Sequence, residues 1–168
     1  QESTILMKGT KAMIDSYVAL DIETTGLNPA ADRIIEIGMA RVCNGNVTDT
    51  YSTLVNPGIN ISDRIIELTH IHNEELTDMD EAVDNLLDFI GDDIILGQNV
   101  TFDYSFLKKA AVNNNLVFPS AGIDTLKMAR RILPELEHKK LDYLCEYLKI
   151  DPGNSHRALD DALSASGI

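Results

Sequence analysis

Tyr17-Val18-Ala19-Leu20-Asp21-Ile22-Glu23 is an apolar run closed by two acids one residue apart. The run reads as a buried strand over 17–22. Side chains two apart on a strand point to the same face, so the carboxylates of Asp21 and Glu23 project together, their α-carbons roughly 7 Å apart. At ~5 Å and an effective dielectric of ~20, each pair of like charges costs about 3 kcal/mol. A hard divalent cation with oxygen ligands, Mg2+ or Mn2+, is the usual compensation. The plainer alternative is a strand that runs into solvent and ends in two hydrated acids.

Outward from this run, residues 33–42 (RIIEIGMARV) and 47–55 (VTDTYSTLV) read as two further strands, joined by the hairpin turn Asn44-Gly45-Asn46 and ended by Asn56-Pro57-Gly58. The pattern then turns helical. Ser62 is the expected N-cap of a helix over 63–70, and residues 79–91 show apolar spacing of three and four. Ile94-Ile95-Leu96 is a fourth strand, Thr101 caps a helix over 102–114, and a short fifth strand lies near Ile123. Helices around 126–133 and 141–148 follow, and a last one holds His156 near its start. This order predicts an α/β fold: a mixed five-stranded sheet, an antiparallel meander of three strands plus parallel strands, flanked by helices. The first strand is expected at the centre beside the fourth, with Asp21 and Glu23 where loop residues converge.

With 168 residues, 44% of them hydrophobic, the chain fits one soluble domain over 15–168 behind a loosely structured leader, 1–14. No apolar stretch approaches the ~20 residues of a membrane span, and the N-terminus lacks the apolar segment of a signal peptide. Cys43 and Cys145 lack metal-type spacing and read as buried free thiols of a reducing, cytoplasmic protein. A net charge of -13 and a pI near 4.5 argue against gripping long duplex DNA through a basic face. They do not exclude an enzyme that reaches nucleic acid through bound cations.

Four more side chains are candidates for chemistry. Asp103 follows the loop Asn99-Val100-Thr101-Phe102, where a helix N-terminus would favour an acid by under ~1 kcal/mol with no further role. His156 and the acids Asp160 and Asp161 lie in Ser155-His156-Arg157-Ala158-Leu159-Asp160-Asp161. Five residues on a continuous helix turn through roughly 140°, so His156 and Asp161 share a site only if His156 lies in the loop entering the helix. Periodicity alone does not choose between Asp160 and Asp161.

Taken together, D-x-E at a strand end, D at a loop-to-helix turn and H-x4-D near the C-terminus closely resemble the exonuclease superfamily of the DNA polymerase III epsilon subunit and ribonuclease T, in its DEDD subclass with histidine. Asp21-Ile22-Glu23-Thr24-Thr25-Gly26-Leu27 matches the first motif, Asn99-Val100-Thr101-Phe102-Asp103 the second, and His156 to Ala162 the third, so the resemblance runs from about Tyr17 to Ala165. Arg64 to Ile71, Ile123-Asp124-Thr125-Leu126 and Leu141 to Cys145 are similar to the PolC-type proofreading branch. Two positions depart from the family pattern: Gln98 stands where many relatives have His, and His70 where Gly is common. The chain ends at Gly167-Ile168, so the last helix is expected to be cut short, with less packing behind Asp161.

The resemblance implies a ribonuclease H-like fold and two-metal hydrolysis of 3′-terminal phosphodiesters, releasing nucleoside 5′-monophosphates. Asp21, Glu23, Asp103 and Asp161 would hold two divalent cations, Mg2+ or Mn2+, with His156 as general base. Thr24, Thr25 and Gly26 would offer N–H and hydroxyl groups to the terminal nucleotide, Leu27 would wedge against its base, and Phe102 would stack on it. His70 and Ile71 would border the sugar, and Asn99 belongs to the same substrate set. Lys139, Lys140 and Arg157 are candidates for phosphate contacts, or else solvated surface cations. The implied substrate is a single-stranded or frayed 3′ end of DNA, with RNA, as in ribonuclease T or oligoribonuclease, the alternative. Any polymerase is expected to associate in trans. A ribonuclease H-like binding module without catalysis is the least favoured reading, because all four acids and the histidine are present.

Overall fold

A computed structural model describes residues 14–76, 79–118 and 122–168, with residues 79–83 given by backbone alone. The expected leader falls outside this description except for Ile14. The strands are β1 (Ser16–Thr24), β2 (Ile34–Cys43), β3 (Asn46–Leu54), β4 (Ile94–Gly97) and β5 (Gly122–Asp124). They form one sheet in the order β3-β2-β1-β4-β5. β1 pairs antiparallel with β2 and parallel with β4, so the strand carrying Asp21 and Glu23 is central, as its apolar run predicts. Asn44 and Gly45 both have positive φ, 50° and 77°, the conformation that matches a two-residue hairpin turn to the twist of its strands.

The helices are α1 (Asp63–Thr69), α2 (Met79–Ile90), α3 (Thr101–Asn113), α4 (Thr125–Ile132), α5 (Leu141–Leu148) and α6 (Ala158–Ser166). None among the described residues is long and apolar enough to cross a membrane. Alternation along β1 sorts its side chains between two layers. Val18, Leu20 and Ile22 enter a core with Leu86 and Ile90 of α2 and Phe106, Leu107 and Ala111 of α3. Tyr17 and Ala19 face the other way, where Ala162 and Ala165 of α6 pack with Ala19 and Ala40. Asp21 and Glu23 share the parity of Ala19 and so emerge on the α6 side.

Of the two expected caps, one differs from the structure and one keeps its place without its bond. Thr101 is the first residue of α3, and Val100 precedes it in right-handed conformation without a side-chain cap. Ser62 stands at the N-cap of α1, but its hydroxyl makes no capping bond. Asp124 is a true cap: its carboxylate accepts from the amides of Leu126 and Lys127 at the start of α4. Both cysteines are free, Cys145 buried and Cys43 only half-buried beside the hydroxyls of Ser16 and Thr48.

Candidate functional site

The β1–β2 register breaks between Glu23 and Thr24, a bulge that ends the strand beside the acids. Asp21 lies opposite Gly38 and Glu23 opposite Glu36. Asp103, in the first turn of α3 and only 2% exposed, accepts a hydrogen bond from the amide of Ile22 at 3.1 Å, which ties the start of that helix to the strand. The fourth acid arrives on α6. His156 sits outside that helix at φ 64°, in the loop entering it, and its amide donates to Asp161 Oδ2 at 3.2 Å. That geometry decides between the two C-terminal acids. Asp161 joins the cluster, while Asp160 turns back to accept from the amide and side chain of Asn154.

Ligand atoms of Glu23, His156 and Asp161 all lie within 4.8 Å of one another, close enough to share one cation. The electrostatics point the same way. Burial pushes the Glu23 carboxyl up to about 8, reinforced by Asp161 and Glu36 and opposed by Arg157. Burial likewise lifts Asp161 to about 6, against the stabilising His156 amide. Asp21 is held well above the usual carboxylate range by desolvation, then by Asp103, Asp161, Glu23 and Glu36. Asp103 is raised too, chiefly by burial. Four acids that resist ionisation together form an oxygen-rich set short of positive charge, which a hard divalent cation would supply.

A groove of about 700 Å3 opens beside the cluster, lined by His156, Asp161, Gln98, Arg130, Lys139 and Lys140 among others. Gln98, which departs from the family pattern, bridges its walls: Nε2 donates to the Lys139 carbonyl at 2.8 Å, and Oε1 accepts from the Thr125 hydroxyl at 2.5 Å. A second cavity of about 360 Å3, lined by Leu20, Tyr104 and Phe118 among others, lies on the other face of β1 and contains none of the four acids.

The remaining candidates differ in placement. Leu27 is 85% exposed on the loop after β1. Phe102 is half-buried against Phe106, ring centroids 5.0 Å apart. The hydroxyls of Thr24 and Thr25, just before Leu27, are already engaged: Thr24 donates to the Gly26 carbonyl, and Thr25 donates to Asp32 and accepts from the amide of Arg33. Asn99 is exposed at φ 57°, its amide bonded to Asp124. His70 is an exposed left-handed cap of α1. Ile71, expected at the sugar, is a core residue instead: it is 1% exposed and packs with Ile35 and Ile61.

Sequence reasoning missed two residues here. Glu36, 1% exposed, receives Arg157 through Nε and Nη2, while Gly38 lets α6 close onto the sheet. An acid inside the apolar strand RIIEIGMARV was the available signal for Glu36. Arg157, a phosphate candidate from the sequence, is engaged with that acid.

The sheet order, with acids gathered at the end of its central strand, defines an α/β protein of the ribonuclease H-like class. The chain belongs to the exonuclease family, whose model (RNase_T, described as Exonuclease) matches residues 18–167. Among similar proteins, the DNA polymerase III PolC-type of Thermotoga maritima is 40% identical over 153 residues, 88% of this chain and 11% of the relative. That of Clostridium perfringens is 36% identical over 157 residues, 92% of this chain and 11% of the relative. The chain thus spans about a tenth of the length of these relatives. Among solved structures, exonuclease I superposes with a TM-score of 0.79 at 19% identity, covering 90% of this chain and 39% of the other. Exonuclease X in complex with 5′ overhanging duplex DNA gives 0.69 at 25% identity, covering 90% and 87%. The family and the fold expected from the three motifs are those found.

Proposed function

We propose that this chain is a metal-dependent 3′-5′ exonuclease that removes nucleoside 5′-monophosphates from single-stranded or frayed DNA ends. The observation that carries the reading is the convergence of Asp21 and Glu23 on β1, Asp103 on α3, and His156 and Asp161 at α6 on one strand end. These segments are far apart in the chain, and no single element would bring so many like charges together for packing.

Asp21, Glu23, Asp103 and Asp161 would hold two divalent cations, Mg2+ or Mn2+. Such cations, when bound, stabilise both the attacking and the leaving oxygen of a phosphodiester in hydrolysis. His156, exposed beside Asp161, takes a proton from the attacking water as general base. The water oxygen bonds to phosphorus, and the bond to the 3′ oxygen of the preceding nucleotide breaks. Leu27 wedges against the last base and Phe102 stacks on it, a sequence-tolerant contact worth about 1–3 kcal/mol. Asn99 and the loop Thr24-Thr25-Gly26 border the terminal nucleotide, with His70 at the edge.

Support for DNA comes from the PolC-type relatives, named as DNA polymerases, and from E. coli exonuclease I, solved with a dA16 oligonucleotide. The same relatives support a proofreading or repair role alongside a polymerase. The test is digestion of matched 5′-labelled single-stranded DNA and RNA with Mn2+ or with EDTA, alongside His156→Ala. A metal-dependent ladder shortening from the 3′ end of DNA, lost in the variant, is the expected result. Faster loss of RNA would reassign the substrate, and no degradation of either strand by folded protein would overturn the reading.

A further inference from the structure

Glu36 is a carboxylate that the proposed hydrolysis does not use. It stands directly across the β1–β2 register from Glu23, yet its oxygens are already taken. Oε1 accepts from Arg157 Nη2 at 2.7 Å and Nε at 3.0 Å, and Oε2 accepts from the Ala158 amide at 2.9 Å. Both donors belong to the entry of α6, and the residue immediately before them is His156.

That entry is a demanding piece of backbone. His156 has φ 64°, the left-handed region that is uncommon for non-glycine residues. Ser155, on its other side, donates to Asp142 of α5 at 3.0 Å. The loop carrying the imidazole is therefore pinned to the sheet through Arg157 and to α5 through Ser155.

Stability alone accounts poorly for this arrangement. Burying the Glu36 carboxylate costs desolvation, which its attraction to a half-exposed guanidinium often does no more than offset. Glu36 also places a fifth carboxylate next to the other four, directly opposite Glu23, with Arg157 as its counter-ion. What the pair does provide is direction. A bidentate guanidinium–carboxylate contact fixes distance and angle together.

We propose that Glu36 is a positioning residue for the reaction: acting through Arg157 and the Ala158 amide, it fixes the entry of α6 and so holds the His156 imidazole and the Asp161 carboxylate against Asp21 and Glu23. The proposal rests on the exonuclease reading of this site.

The test is steady-state digestion of a single-stranded DNA oligonucleotide with Mn2+, comparing wild type with Glu36→Gln, Arg157→Gln, Arg157→Lys, the double variant Glu36→Gln/Arg157→Gln, and His156→Ala. Glu36→Gln and Arg157→Gln should each lower kcat about 10- to 100-fold, the range typical of residues that orient a metal ligand, with KM within about threefold. The double variant should fall no more than about threefold below the worse single variant, as for groups acting as one unit. Arg157→Lys should recover part of the loss. Folded Glu36→Gln with kcat within about threefold of wild type would overturn the proposal, as would losses carried by KM or multiplying in the double variant. If Glu36→Gln fails to fold, the half-exposed Arg157 decides, and Arg157→Gln at wild-type kcat overturns the proposal. Inactive wild type, or His156→Ala at the wild-type rate, instead overturns the exonuclease reading and this proposal with it.

Discussion

Gly38 of β2 faces Asp21 of β1, and the space where its side chain would stand is filled by the backbone of Ala158 and Leu159. A β-carbon there would fall 2.1 Å from the Leu159 nitrogen and 2.2 Å from the Ala158 carbonyl carbon. Neither neighbour is a flexible side-chain end, so α6 would have to lift. Gly38→Ala should therefore lower stability by at least the ~1–3 kcal/mol of overpacking and carry Asp161 away from β1. Thermal unfolding with and without Mn2+ checks this: the wild type should gain stability from the cation and the variant should gain little or none.

Asp160 and Asp161 are neighbours with different tasks. Asp160→Ala loses its bonds to Asn154, about 0.5–1.5 kcal/mol each, and should leave kcat within about threefold of wild type. Asp161→Asn should lower kcat by about 100-fold or more, beyond the range seen for outer-shell partners. Equal losses in the two variants, measured on one oligonucleotide, would refute the assignment.

The raised carboxyls give a signed pH dependence. Glu23 moves from 4.5 to about 8 and Asp161 from 3.8 to about 6 on folding. Each stays protonated in the fold after the unfolded chain has released its proton. Its contribution is complete below the unfolded value and is lost as pH rises through the folded one. In EDTA, stability from this cluster should fall between about pH 4 and 8. Glu23→Gln should flatten that fall and stabilise the metal-free protein near pH 8. Cation affinity should run the other way, rising with pH as the carboxyls ionise. Denaturant unfolding across this range checks the first claim, and parallel curves for variant and wild type would sink it.

Lys139 and Lys140 line the groove that reaches His156, although Lys139 also donates to the Leu136 carbonyl. Replacing both by Ala should weaken binding of a short single strand and reduce the slope of log K against log salt by about 0.7 for each lost contact. Unchanged affinity and slope would return both residues to the solvated surface.

Much of the site was legible because its anchor is local. The parity of Asp21 and Glu23, the Asn44-Gly45 turn and the central β1 follow from patterns a few residues long. What stayed hidden depends on contacts across the chain. Glu36 looks like an anomaly in an apolar strand until Arg157, far away in sequence, closes on it. Counting along a helix does not choose between Asp160 and Asp161, because the choice rests on the backbone of His156, outside α6. Ile71 reads as a loop residue near the substrate, yet it is buried in one cluster with Ile35, at the start of β2, and Ile61. The cap assigned to Thr101 failed for a similar reason: the turn before α3 is set by Asn99, held from Asp124.

The groove with Arg130, Lys139 and Lys140 gains its meaning from the -13 charge of the chain around it. A polyanion diffusing toward most of this surface is repelled, so productive encounters are few and salt should speed rather than slow its first approach. At low strand concentration the field thus slows capture of a free oligonucleotide, leaving the rate at saturation to the site itself. Any assembly that tethers a 3′ end near the groove, at the millimolar effective concentration of a short linker, removes that bottleneck without touching a single catalytic atom.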